Sequence, residues 1–159
     1  MANGDSAPAS KAGFGLSLKG RALRYLAARE HSRAELERKL KAHEETPGQL
    51  AQVLDDLEAK DFISEARVAE SVVNRRGAKF GAARVKHELI NKGLSAELVA
   101  GAVDALKTTE VERARDIWRR KFGEAAPDAA SRAKQTRFLA ARGFGGDAIR
   151  RAMAQADDE

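Results

Sequence analysis

A helical pattern returns three times along this chain of 159 residues, at a period of roughly 45, and its middle copy is the clearest. There Val68, Ala69, Val72 and Val73 share one face of a helix running from Glu65 to Arg76. Lys79-Phe80-Gly81 then leads into a second helix, with Ala82, Val85 and Leu89 on its inner side and Arg84, His87 and Asn91 opposite. A third helix follows Lys92-Gly93-Leu94-Ser95 and carries Leu98, Val103 and Leu106. A unit of this kind is expected to be unable to bury its own apolar face, so that neighbours must stack into an elongated array. Such an array offers long surfaces rather than a closed pocket, which points to binding rather than catalysis.

The same pattern organises the rest of the chain. Residues 18–60 read as a first three-helix repeat, 61–107 as the second and 108–154 as the third, between a small, polar leader over 1–17 that is expected to be disordered and an acidic tail over 155–159. In the first repeat Leu23, Leu26 and Ala27 form the stripe of the opening helix, with Tyr25 beside it. Ser32 and Glu35 have capping-box spacing ahead of Leu36 and Leu40. Thr46-Pro47-Gly48 breaks the chain before a helix holding Leu50, Val53, Leu54 and Leu57. Ser64 is placed to cap the second repeat. In the third, Thr109 and Glu112 have the spacing of a second capping box, ahead of an apolar face of Val111, Ala114, Ile117, Trp118 and Phe122. Leu139-Ala-Ala-Arg142-Gly143-Phe144 repeats the leucine, base, glycine and apolar residue of Leu89-Ile-Asn-Lys92-Gly93-Leu94 at the same spacing. A left-handed glycine is expected to end a helix at each.

With 43% apolar, 33% charged and 5% aromatic residues, the composition suits thin helical layers with a heavily solvated surface, and no alternating strand pattern is present. The fold class is all-α. No cysteine occurs, which removes disulfides and thiolate chemistry. No apolar run approaches a membrane span and the leader lacks the apolar core of a signal peptide, so a soluble cytoplasmic protein is expected.

The net charge of +5 is unevenly spread. Arg75, Arg76, Lys79, Arg84, Lys86 and Lys92 face a single nearby acid, Glu88, while Arg132, Lys134, Arg137, Arg142, Arg150 and Arg151 face Asp147 alone. Acids gather in the first repeat and in the tail. Two basic stretches of this kind suit a polyanionic partner, nucleic acid or an acidic protein groove, because several cationic groups converging on one surface bind phosphate or carboxylate well. The candidates are Arg75, Arg76, Lys79, Arg84 and Lys86 on the second repeat, and Arg132, Lys134, Arg137, Arg150 and Arg151 on the third. The plainer alternatives stay open: Arg75 and Arg76 complementing a helix C-terminus, and Arg150 and Arg151 as solvated residues. Asp116 and Arg120 are spaced for a surface ion pair. Trp118 reads as core, and Tyr25 and Phe80 as better candidates for exposed aromatics.

Other chemistry finds little support. His87-Glu88-Leu-Ile-Asn91 has the spacing of a zinc-protease motif with an asparagine at the second ligand position. His31 and His43 have no partner at ligand spacing. The glycine-rich segments Gly13-Phe-Gly15 and Gly143-Phe-Gly-Gly146 lack a phosphate-loop lysine and follow no strand. No metal, cofactor or reaction centre is expected.

The segments Leu57-Glu-Ala-Lys60-Asp-Phe62-Ile63-Ser-Glu65-Ala-Arg67-Val68-Ala69, Arg75-Arg76, Lys79-Phe-Gly81 and Glu88-Leu89-Ile-Asn-Lys92-Gly93-Leu94 resemble the RecX family of bacterial regulators of the RecA recombinase. Phe138-Leu139-Ala-Ala-Arg142-Gly143-Phe144 fits the same family, and the resemblance runs from about Lys19 to Met153. Val68 departs from it, standing where the family usually has an aromatic, and the first repeat has a longer break and no Lys/Arg-Gly turn. The resemblance implies three-helix repeats forming a curved, non-enzymatic body. It also implies binding in the groove of the RecA–single-stranded DNA filament, where the family limits filament growth and suppresses ATP hydrolysis and strand exchange. Free DNA is a further expected partner, and the chain is expected to act as a monomer.

Overall fold

The computed structural model describes residues 15–154, so the acidic tail and all of the leader but 15–17 lie outside the described residues. Nine α-helices and no strand occur among the described residues. They fall into two compact units, one ending at Ser64 and the other beginning at Glu65.

The first unit holds α1 (Leu18–Ala28), α2 (Arg33–Leu40) and α3 (Gln49–Ala59), with a 3-10 turn at Lys41–His43. The hydroxyl of Ser17 accepts from the Gly20 N–H at 3.0 Å to start α1. The Ser32 capping box forms in both directions: the hydroxyl accepts from the Glu35 N–H and the carboxylate accepts from the Ser32 N–H. Glu35 is buried, and its second oxygen takes the Arg29 guanidinium at 2.7 Å. The core is Leu18, Ala22, Leu36, Leu40, Leu50, Leu54, Leu57 and Ile63. Leu23 and Leu26 sit on its margin, whereas Ala27 is exposed. The buried stripe of α1 follows the i, i+4 line through Leu18 and Ala22, one turn before the expected one.

His31 is buried between α1 and α2, where its Nδ1 meets the Arg29 carbonyl and its Nε2 meets the Lys39 ammonium, each at 3.0 Å. Those partners fit a neutral ring that donates from Nδ1 and accepts at Nε2. Burial above all, with Arg29 and Lys39 adding to it, holds the imidazole pKa below its ordinary value. At the end of α3, Asp61 adopts a left-handed φ of 63°, and the N–H groups of Phe62 and Ile63 both reach the Leu57 carbonyl. The first repeat thus has the same kind of turn as the other two, built on Lys60-Asp61, with a base followed by aspartate instead of glycine.

The second unit contains α4 (Glu65–Arg76), α5 (Ala82–Asn91), α6 (Ala96–Thr108), α7 (Glu110–Lys121), α8 (Ala129–Ala141) and α9 (Gly146–Ala154). One core, from α4 to α6, gathers Val68, Ala69, Val72, Ala82, Val85, Leu89, Leu94, Val99, Val103 and Leu106. A second, from α7 to α9, gathers Ala114, Ile117, Trp118, Leu139, Phe144, Ile149 and Ala152. Each triplet therefore buries its own apolar face. The expectation that stacking neighbours must do so is corrected: the buried apolar residues of each triplet collect into a cluster of their own.

Both predicted helix ends form. Gly93 and Gly143 have φ of 73° and 90°, and the N–H of the next residue reaches back to Leu89 or Leu139. The expected capping box at Thr109 does not form. Thr109 has φ −113° and ψ 6°, so α7 follows α6 after a single residue. Its hydroxyl is turned to the Leu106 carbonyl and to the Arg113 Nε instead of to an N–H of its own helix.

The two triplets of this unit are joined by backbone and charge. The Gly81 N–H donates to the Arg142 carbonyl at 2.8 Å, bringing the start of α5 against the turn between α8 and α9. A side chain at Gly81 would strike the backbone of Gly143 and Phe144, and one at Gly143 would strike Arg84. Below this contact the Glu110 carboxylate accepts from the Ala82 N–H at 3.3 Å and the Gly145 N–H at 3.4 Å, serving two helix starts at once. Arg113, on the same helix, donates to the Gly77 and Phe80 carbonyls at 2.7 Å each and to Leu106 at 2.8 Å. Burial lowers its pKa, with Glu110 opposing the shift.

Gly143→Ala is expected to destabilise the chain by at least about 2 kcal/mol, from the left-handed φ and the collision with Arg84 together. Gly101→Ala, within α6 and with open space around it, is expected to stabilise by roughly 0.5–1 kcal/mol. Denaturant unfolding followed by circular dichroism checks both signs. Equal effects at the two positions would remove the close approach as the cause.

Candidate functional site

Arg75 and Arg76 lie in the last turn of α4, where they also complement the helix C-terminus. They do more than that, because both reach across to Glu88 on α5, at 3.4 and 3.1 Å. The one acid of this stretch is therefore held between two guanidinium groups. Lys79, Arg84 and Lys86 are exposed around the start of α5.

Arg84 turns towards Phe80, its guanidinium carbon 4.2 Å from the ring centre, and donates to the Ala141 carbonyl at 3.4 Å. Arg76 lies 5.5 Å and Arg142 5.8 Å from the same ring centre. Phe80, expected as an exposed aromatic, is thus half-buried beneath arginines from two triplets. Arg142 also donates to the Lys79 carbonyl at 3.2 Å and lies 5.1 Å from the Phe138 ring. Neither Arg84 nor Arg142 forms an ion pair with a carboxylate among the described residues. A shallow hollow of about 210 Å³ opens beside them, lined by Phe80, Arg84, His87, Glu88 and Asn91 among others.

The second set of candidates separates. Arg150 and Arg151, the two arginines of α9, are exposed and share Asp147 at 3.4 and 3.3 Å. Arg132 and Arg150 meet at a hollow of about 160 Å³ whose floor includes Trp118, Ile149 and Met153. Arg137 borders a different depression on α8 with Arg132, and Lys134 lines neither. Trp118 is core, as its position on the apolar stripe requires, and its indole N–H donates to the buried Gln135 at 2.8 Å. Asp116 and Arg120, expected to pair, do not. An exposed pair of this kind gains so little that solvation of each group competes with it.

In the first unit five acids, Glu35, Glu37, Asp55, Asp56 and Glu58, are engaged with bases. Arg33 holds Asp55 at 2.6 Å, Glu37 at 3.2 Å and Glu58 at 3.3 Å, while Asp56 takes Lys19 and Lys60. Tyr25 is exposed, with Lys39 over its ring at 4.6 Å. Among the described residues no cluster of histidines and carboxylates is arranged to hold a metal ion, and no helix is long and apolar enough to cross a membrane.

The residues missed by sequence reasoning as site members are Arg142, at the turn after α8, and Phe138, within α8. The repeated base-glycine signature pointed to Arg142 as a helix end. Its role beside Phe80 depends on a contact 62 residues apart in sequence and leaves no local signal.

Three family models match the chain in order: the RecX first three-helix domain over residues 19–57, the second over 64–103 and the third over 108–153. The chain is 56% identical to the regulatory protein RecX of Leptothrix cholodnii, covering 91% of this chain and 92% of that protein. It is 52% identical to the regulatory protein RecX of Herminiimonas arsenicoxydans, covering 87% and 91%. The crystal structure of RecX from Lactobacillus salivarius superimposes with a TM-score of 0.75 at 23% identity, covering 89% of this chain and 96% of that one, which shows a common fold.

Glu88→Gln removes the acid between Arg75 and Arg76. Affinity for a single-stranded oligonucleotide is expected to rise roughly threefold to tenfold at low salt, about what loss of one surface charge contributes. Fluorescence anisotropy measures this, and unchanged or weaker binding would place the polyanion surface elsewhere.

Proposed function

This chain belongs to the RecX family, and from that premise we propose that it is a regulator of the RecA recombinase with no reaction centre of its own. It binds in the groove of the RecA–single-stranded DNA filament, limits filament growth and suppresses ATP hydrolysis and strand exchange. The physical requirement is modest: affinity must differ between the growing filament and its free components, and that difference shifts subunit addition and loss. Three modules in tandem supply several separate contacts, each individually weak, whose combination gains from effective concentration.

The observation that carries this reading is the arginine surface around Phe80, where acid-free guanidinium groups from two triplets converge. Arg75, Arg76, Lys79, Arg84 and Lys86 are proposed as the main contact, and Arg132, Lys134, Arg137, Arg150 and Arg151 as the second. The pairing of Arg150 and Arg151 with Asp147 makes them the weaker members.

The same arginine surface also favours a second reading, a helical module that binds DNA without regard to sequence. Binding to naked DNA and to recombinase-coated DNA at one salt concentration separates the two, because phosphate-driven affinity falls steeply with salt. A generic scaffold for acidic proteins predicts no effect on the recombinase.

Titration into a RecA–single-stranded DNA ATPase assay tests the proposal. The wild-type chain is expected to inhibit, and reversal of Arg75, Arg76 and Arg84 to glutamate together is expected to weaken inhibition by at least tenfold, the scale of two or three lost charge contacts. Full potency in the triple variant would discard the second-repeat contact. No inhibition by the wild-type chain would discard the function.

A further inference from the structure

Arg84 and Arg142 share a feature that the charge pattern alone does not predict. They come from different triplets, both lie within 6 Å of the centre of one phenyl ring, and neither has a carboxylate partner among the described residues. Their distances of 4.2 and 5.8 Å from the Phe80 centre put the two guanidinium carbons within about 10 Å of each other. Two like charges held this close repel, and a bridging anion relieves that repulsion. Each side chain is also tethered by a hydrogen bond to the neighbouring triplet, Arg84 to the Ala141 carbonyl at 3.4 Å and Arg142 to the Lys79 carbonyl at 3.2 Å, which lowers the side-chain freedom lost on binding.

We propose that Arg84 and Arg142 form a composite site for the phosphodiester backbone of single-stranded nucleic acid, complete only while the second and third triplets are docked. The inference rests on the filament-binding reading above and deepens it by assigning the surface that meets the nucleic acid.

The surroundings favour a nucleic acid strand over an acidic polypeptide. A guanidinium lying over a phenyl ring leaves its outer face and edge available, and bases stack on such planes while phosphates bond to their edges. The adjoining hollow adds the imidazole of His87 and the side chain of Asn91, polar groups that suit a base edge. Lys79 and Lys86, both exposed, add positive charge close to Phe80 and Arg84 in the sequence. An acidic peptide makes use of the charges alone, and meets the carboxylate of Glu88 in the same hollow with no base-like group to set against it.

The dependence on docking follows from where the residues are rooted. Arg142 reaches Phe80 because its own carbonyl accepts from the Gly81 N–H and its guanidinium bonds to Lys79. If the seam opens, Arg142 leaves with the third triplet. A ligand that needs both arginines therefore binds the docked form alone and stabilises it by mass action.

The test uses the full chain and a labelled oligothymidylate at low salt, with no recombinase present. The double variant Arg84→Ala, Arg142→Ala is expected to bind at least about tenfold more weakly, with a salt slope shallower by about 1.4, the value for two phosphate contacts on a single strand. Arg24→Ala with Lys41→Ala, both exposed in the first unit and outside either proposed contact, removes the same charge and is expected to cost less than about threefold. Arg84→Lys with Arg142→Lys keeps the charge and disturbs folding least. It is expected to keep the salt slope yet lose part of the affinity, because an ammonium lacks the stacking plane. Oligothymidylate is also expected to raise the unfolding midpoint of the wild-type chain and not that of the alanine double variant. Binding by the alanine double variant within twofold of wild type overturns the proposal, as does displacement by oligoglutamate as effective as by unlabelled oligothymidylate. No binding by the wild-type chain overturns it too. Because the recombinase is absent, these failures leave RecA regulation standing, whereas loss of ATPase inhibition with oligonucleotide binding intact would strike the function and spare the site.

Discussion

The second unit depends on one half-buried guanidinium. Arg113 starts from α7 in the third triplet and gives both terminal nitrogens of its guanidinium to the second, at the carbonyls of Gly77, Phe80 and Leu106. A charge-assisted bond to a partly buried carbonyl is stronger than a neutral one, and three together fix the α4–α5 connection to the end of α6. Glu110, one turn earlier, adds two helix starts to the same arrangement. The glycine contact between Gly81 and Arg142 is possible because these side chains hold the backbones in place.

This join differs in kind from the interior of each triplet. The triplets are closed by leucine, valine and alanine, a non-directional force that tolerates substitution of similar volume. The join relies on direction and fit, in which a missing donor leaves acceptors unpaired and an added methyl meets backbone. Such contacts specify one geometry among many at little net gain in stability. For a surface whose arginines come from both sides, a single geometry is the useful property.

Local features were readable from sequence alone. The Ser32 capping box, the glycine turns at Gly93 and Gly143, the inner faces of α4, α5 and α7, and the burial of Trp118 all follow from spacing within a dozen residues. Thr109 misled because its capping spacing is local whereas the directness of the α6–α7 connection is not. Asp61 escaped because glycine is the usual signal for the conformation it adopts. Each triplet's ability to enclose its own core was also missed, since periodicity gives the faces and not the angles between helices. The basic stretches were visible as charge, but the meeting of Arg84 and Arg142 at Phe80 and the role of Arg113 join distant segments that no window contains. The family was legible because its signature lies in the order of many short motifs.

Native-state hydrogen exchange on Arg113→Ala tests the central claim most directly. If Arg113 unites the two triplets, core amides of both, such as Val85 and Leu89 on one side and Ile117 and Leu139 on the other, lose protection together, by about 2 kcal/mol or more. Loss confined to α7 through α9, with α4 through α6 as protected as before, would contradict the account and leave the triplets as independent modules side by side.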